Sequence, residues 1–202
     1  MNLLIGTTNP GKLREYAALL DGLPATLLSL QDVSLHRMDV EEPFDTFEGN
    51  ALHKAALYAQ QSGMLALADD TGLMVDALDG RPGVYSARYS GPGATDRDRY
   101  ERILREMAVV PEPQRTARFV CMVAVVSADG AVRESARGAV EGRIGLTSGS
   151  GSEGFGYDSI FIPQGYDAPL SDIPFAEKNQ LSHRANAVRA LLPALRRVLE
   201  TG

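Results

Sequence analysis

A second cysteine, a membrane-length apolar run and an excess of positive charge are all missing from this chain. Cys121 stands alone, so no disulfide can form within one copy, and its place inside the apolar run FVCMVAVV marks it as a packed core thiol rather than a nucleophile. No apolar stretch approaches the roughly 18 residues a transmembrane helix needs, and no N-terminal signal pattern is visible, so a cytoplasmic protein with no membrane partner is expected. The formal net charge of −6 argues against a general grip on a nucleic-acid backbone. A small anion is a different matter, because it needs only a few cations converging in one cleft, whatever the sign of the whole surface. Long linkers, low-complexity tracts and fixed-period repeats are also absent. With 202 residues and 44% hydrophobic content, the chain can bury its own core as a single domain over 1–202, built as one body or as two closely joined lobes.

What is present is an interleaving of helix and strand signals. NLLIG reads as a short buried strand, and Leu13, Tyr16, Ala17 and Leu20 recur at helical spacing, giving strand, glycine-bearing turn, helix. DTFEGNALHKAALYAQQSG reads as a second helix, with Asp45 and Glu48 suiting a capping box and Gly63 a C-terminal stop. Asn50 and Lys54, four apart, share one face of it. MLALADDTGLMVDAL reads as a buried strand reaching a turn at Asp69 to Gly72, then an alternating stretch. RPGVYSARYSGPGATD is loop-like, and Tyr100, Ile103, Leu104 and Met107 mark a third helix. Two long strands joined at Asp129-Gly130, a glycine-rich loop running into the strand SIFIP, and a last helix from about Ser182 to Glu200 with Pro193 inside complete the pattern. An α/β fold around a mixed sheet is expected.

Two glycine patterns invite misreading. Gly6, Gly11 and Lys12 satisfy the Gly-x-x-x-x-Gly-Lys of a phosphate-binding loop, but Leu13 stands where that motif places a magnesium-binding hydroxyl, and Pro10 removes one backbone donor. The local geometry still suits phosphate, since a turn after a strand presents Thr7, Thr8 and Asn9, with Lys12 as a cation and a helix N-terminus as partial positive charge. An ordinary capped turn is the other reading. Gly149, Gly151 and Gly154 spell Gly-x-Gly-x-x-Gly, yet a strand follows where a dinucleotide fingerprint requires a helix, which leaves a surface loop or a loop closing over a ligand.

The stretches TTNPGK, EEPFDTFEGNALHKA, LADDTGL, PGVYSARYSG, GFGYD and EKNQLSHR occur in the order, and at roughly the spacing, of the inosine triphosphate pyrophosphatase family, which the chain closely resembles over nearly its whole length. The resemblance implies hydrolysis of non-canonical purine nucleoside triphosphates (ITP, dITP, XTP) to the monophosphate and pyrophosphate. It further implies two lobes around a long mixed β-sheet flanked by helices, an active-site cleft between the lobes, and a homodimer. TTNPGK then resembles the family's own phosphate loop, and Leu13 is left to pack. Magnesium is assigned to Glu42 and Asp70, hard oxygen ligands of the kind that ion prefers, with Asp70 also the proton acceptor and Asp69 a secondary metal candidate. Lys12, Lys54 and Lys178 become phosphate ligands, with Thr7, Thr8, Asn9 and Thr71 as further substrate contacts. Phe155 would stack on the purine, Gly156 would allow close backbone approach, and Tyr157 and Asp158 would orient the nucleotide. His183 and Arg184 would meet the carbonyl at purine C6, where adenine presents an amino group. The chain departs from the family's usual Thr-Gly at Pro43-Phe44.

Taken singly, each residue has a plainer reading. Two aspartates can solvate a strand end, a lysine is usually a solvated surface group, Phe155 can be core, and Ser182 suits a helix cap. Ser86, Arg88 and Tyr89 match the family without an assignable role. Three rival functions stand beside the first: a Maf-type pyrophosphatase acting on other modified or pyrimidine nucleotides, a P-loop phosphotransferase, against which Leu13 and the lack of a second metal motif argue, and a non-catalytic nucleotide sensor that keeps Phe155, His183 and Arg184.

Overall fold

Leu3, Leu4 and Ile5 are consecutive and all buried, so β1 (Asn2–Ile5) has apolar neighbours on both faces, as an interior strand of a covered sheet requires. The structure, a computed structural model, describes residues 1–151 and 153–201; Ser152 and Gly202, inside the domain expected over 1–202, lie outside the described residues. β1 pairs in parallel with β2 (Thr26–Ser29) and with β3 (Leu65–Val75). β4 (Thr116–Val126), β5 (Arg133–Ile144) and β6 (Phe161–Pro163) complete a six-stranded sheet in the order β2-β1-β3-β4-β5-β6. β5 and β6 are antiparallel, so the sheet is mixed. Helices α1 (Pro10–Leu19), α2 (Phe47–Ser62), α3 (Asp96–Glu106), α4 (Phe175–Leu181) and α5 (His183–Thr201) flank it, and the fold is α/β as expected.

The differences from the sequence reading are local and have physical causes. β3 does not turn at Asp69 to Gly72. Leu65 through Asp70 are buried without a break, and Leu73 and Val75 are buried beyond them, so the strand runs on and the aspartate pair sits in its middle. The cap of α2 is Thr46 rather than Asp45: its extended backbone turns the hydroxyl back to accept from Gly49 N at 3.1 Å, a cap worth about 1 kcal/mol. Gly63 ends that helix in the left-handed conformation (φ 70°). The loop after β3 contains a 3-10 helix, Gly83–Arg88, and Pro193 is accommodated inside α5.

The chain divides into two compact units. The first comprises Met1–Asp70, Cys121–Gly138 and Arg184–Gly202. Its strands alternate with period two: Leu3, Ile5, Leu67, Cys121 and Val123 pack with Tyr16, Leu191 and Leu195, while Leu4, Ala66, Met122 and Ala124 pack with Ala51, Ala55 and Tyr58. Cys121 is a fully buried core thiol, as its run predicts.

The second unit comprises Thr71–Val120 and Ala139–His183, with a core built on Leu73, Val75, Ile103, Met107, Phe119, Tyr157 and Phe161. Arg115 is buried there and donates to four carbonyls: Met107 at 2.6 Å, Val110 at 3.4 Å, Ile144 at 3.0 Å and Gly145 at 2.8 Å. It joins the segment that follows α3 to the end of β5.

Candidate active site

Successive side chains of a strand point to opposite faces, and the continuity of β3 applies that rule to Asp69 and Asp70. Asp69 accepts from Lys12 Nζ at 2.8 Å and lies 3.5 Å from Arg184 Nη2. Arg184 in turn is paired through Nη1 with Glu15 of α1. The Asp69 and Arg184 side chains are each 1% exposed and Glu15 is 3%, so this is a fully desolvated chain of alternating charge. Burial by itself would raise the Asp69 carboxyl, but Lys12, then Arg184 and Lys54, overcome it and hold the group far below the usual carboxylate range.

The loop before α1 is organised around its own cap. Asn9 Oδ1 accepts from Gly11 N at 2.8 Å and Lys12 N at 3.1 Å, and Thr7 Oγ1 accepts from Asn9 N at 3.2 Å, while Thr8 is exposed. Gly6 is demanded by packing, since a Cβ there would come within 2.5 Å of the Tyr58 ring. Leu13 packs against the core. The partial match to a phosphate-loop pattern is therefore met by packing and capping needs.

On the other face, Asp70 Oδ2 accepts from Asn50 Nδ2 at 3.0 Å, and Lys54 Nζ lies 2.5 Å from Glu42 Oε1 and 3.7 Å from Asp70 Oδ1. Asn50 and Lys54 do share one helix face. Burial raises the Asp70 carboxyl above its usual value against the opposing pull of Lys54, with Glu42 adding to the rise. Burial acts to lower Lys54, but Asp70, Glu42 and Asp69 hold it above its usual value. Among the described residues no three His, Cys, Asp or Glu side chains gather as a metal-holding group. The Glu42 and Asp70 pair nonetheless fits magnesium: both are hard oxygen donors, they already share one cation, and that ion is commonly held by one or two carboxylates plus substrate phosphates. Asp69 faces Lys12 and Arg184 instead.

The second unit carries the other predicted residues. Asp158 Oδ2 accepts from Lys178 Nζ at 2.7 Å and from Phe155 N at 3.0 Å, and Lys178 Nζ lies 5.1 Å from the centre of the half-buried Phe155 ring, a cation–π contact. Lys178 is itself 2% exposed, so its charge is held by Asp158 rather than presented to solvent. Gly156 N donates to Asp96 at 2.7 Å. The Tyr157 hydroxyl donates to the Ser86 carbonyl at 2.8 Å, and the Ser86 hydroxyl accepts from Leu73 N at 3.0 Å and donates to the Gly83 carbonyl at 2.6 Å, which gives Ser86 a structural role. Thr71 is half-buried in β3. His183 stacks on Phe119 with ring centres 4.7 Å apart.

His183 and Arg184, expected to work as a pair, belong to different units, and Arg184 is buried between two carboxylates. A guanidinium this deep requires such partners. Glu15 was missed in the sequence, although one signal exists: it shares the stripe of Tyr16 and Leu19, where an acid has no place unless a buried cation meets it.

The sequence pattern of the Ham1 family matches residues 3–194, and the chain belongs to that family. It is 49% identical over 189 residues to the dITP/XTP pyrophosphatase of Geobacter sulfurreducens, covering 94% of each chain. To the dITP/XTP pyrophosphatase of Bacillus subtilis it is 41% identical over 188 residues, covering 93% of each. Among solved structures, a Ham1 protein from Coxiella burnetii superposes with a TM-score of 0.86 at 34% identity, covering 98% of this chain and 99% of that one.

Proposed function

We propose that this protein is a nucleoside triphosphate pyrophosphatase that hydrolyses deaminated purine nucleotides (dITP, XTP and ITP) to the monophosphate and pyrophosphate, with magnesium as cofactor. The observation that carries the reading is the Glu42–Lys54–Asp70 cluster, two carboxylates and a lysine on the face of β3 where Asp70 also meets Asn50, in a chain of the Ham1 family. The names of its relatives supply the substrate class. A magnesium ion held by Glu42 and Asp70 would supply charge neutralisation at the phosphates and polarise the scissile bond.

The chain's own residues do the rest. A water oxygen attacks the α-phosphorus, the bond from that phosphorus to the bridging oxygen breaks, and pyrophosphate leaves. Asp70, its carboxyl raised by burial, is suited to accept the water's proton. Lys54 and Lys12 balance phosphate charge, with Asp69 and Arg184 fixing Lys12. Phe155 offers the purine a stacking face whose position is set by Asp158 and Lys178, and His183, its ring held against Phe119, is read as a contact to the base. The same reading makes the enzyme cytoplasmic and a homodimer; no helix among the described residues is long and apolar enough to cross a membrane.

The test is pyrophosphate release with magnesium from dITP, ITP and XTP against ATP and GTP. Release confined to the first three supports the reading. Equal release across the panel overturns the selectivity, and tight binding without release makes the protein a sensor.

A further inference from the structure

Asn50 is fully buried in the first turn of α2, and a buried primary amide is costly unless its donors and acceptor are paired. Its partners dictate how it is turned. The Phe44 N–H can meet only Oδ1, at 3.0 Å, which directs Nδ2 to the Phe44 carbonyl at 3.1 Å and to Asp70 Oδ2 at 3.0 Å. One side chain thus ties the loop that carries Glu42 to the strand that carries Asp70.

We propose that Asn50 is a positioning residue that fixes the spacing of the Glu42 and Asp70 carboxylates; this rests on the reading of those two as the magnesium ligands. The helix beneath it is rigid, capped by Thr46 and packed through Ala51, Ala55 and Ala59. The loop above it is strapped down. The Phe44 ring lies so close to α2 that a Cβ on Gly49 would come within 2.8 Å of Phe44 Cβ, and the ring meets His53 edge-on at 5.7 Å. Glu42 lies two residues before this anchor. With Oδ2 of Asp70 turned to Asn50, Oδ1 faces Lys54, the cation that also meets Glu42. Asn50 itself grips the main chain of residue 44, so its two hydrogen bonds there add to the Phe44 side-chain contacts without requiring them, and Pro43 leaves the needed N–H in place.

The test uses manganese as the probe, followed by electron paramagnetic resonance on the full chain without nucleotide, with Glu42→Gln and Asp70→Asn as references. The expected result is binding by the wild type, loss in both references, and weakening of about 10- to 100-fold in Asn50→Ala, the usual cost of removing a group that orients a metal ligand. In turnover, excess manganese should restore the kcat of Asn50→Ala with little change in nucleotide KM. Asn50→Ser, which keeps a donor at the buried position, serves if the alanine variant does not fold, with the same direction and a smaller effect. Wild-type manganese affinity in the Asn50 variants, or a lowered kcat that metal does not restore, overturns the positioning role alone. Unchanged affinity in Glu42→Gln and Asp70→Asn, or no manganese bound by the wild type, overturns the metal reading and the role with it.

Discussion

Asp69 and Asp70 are neighbours in the chain whose carboxylates face opposite sides of β3, the first 2.8 Å from Lys12 and the second 3.0 Å from Asn50. Two residues of one type are thereby given two environments. Asp69 is locked in its charged form by cations, whereas Asp70 is drawn toward the protonated form by burial.

Asp70→Asn should lower turnover by about 100- to 10,000-fold, the range for a lost proton acceptor, with a much smaller effect on nucleotide binding. It should also raise the melting temperature at pH 7. The folded-state pKa of Asp70 is raised, so its charged form opposes folding at neutral pH, and a neutral amide removes that opposition. Wild-type turnover in the purified variant would remove Asp70 from the mechanism.

Arg184→Met or Glu15→Ala should destabilise the fold by about 3–5 kcal/mol in urea unfolding, because each leaves an uncompensated buried charge. Removing both together should cost less than the sum of the two, since the double variant strands fewer charges. Additive losses would show that the pair is not coupled.

Asp69 sets the response to acid. Its pKa is depressed in the folded state, so the stability it contributes is present above the unfolded value of 3.8 and fades as pH falls below it. Unfolding free energy should therefore drop from about pH 4 downward and keep dropping as pH falls toward the much lower folded-state value, and Asp69→Asn, less stable at pH 7, should show a shallower drop over that range. Parallel curves for the two proteins would contradict this.

Phe155→Ala should weaken nucleotide binding by about 1–3 kcal/mol, the usual worth of a base stacked on an aromatic ring. Inhibition by pyrophosphate, which has no base, should stay unchanged. A matching loss of pyrophosphate inhibition would mean that the ring supports the phosphate side instead.

Much of this was visible in the sequence wherever a pattern repeats. The apolar stripes of α1, α3 and α5 and the shared face of Asn50 and Lys54 follow from helical spacing alone. β2 gave no signal because, although as long as β1, it is an edge strand (TLLS) with no fully buried residue and so no apolar run, and α4, seven residues long, is too short for a helical period to declare itself. The composition Asp-Asp-Thr-Gly suggested a turn, because local propensity cannot register that Lys12 and Arg184, 57 and 115 residues away, neutralise Asp69 and let the strand continue. The loop around Pro43-Phe44 was ambiguous for the same reason. Its conformation is dictated by Asn50, a residue on the following helix.

Arg115 has a consequence for behaviour in salt. The pairs along the outside of α3, such as Arg97 with Glu101 at 2.6 Å, are exposed and should fade as added electrolyte shortens the Debye length to about 3 Å at 1 M. Arg115 is bound by four peptide oxygens, neutral dipoles closed off from the medium, which act as a fixed hydration shell that mobile ions cannot enter. The junction between α3 and the end of β5 should thus persist in brine that loosens the helix surface beside it.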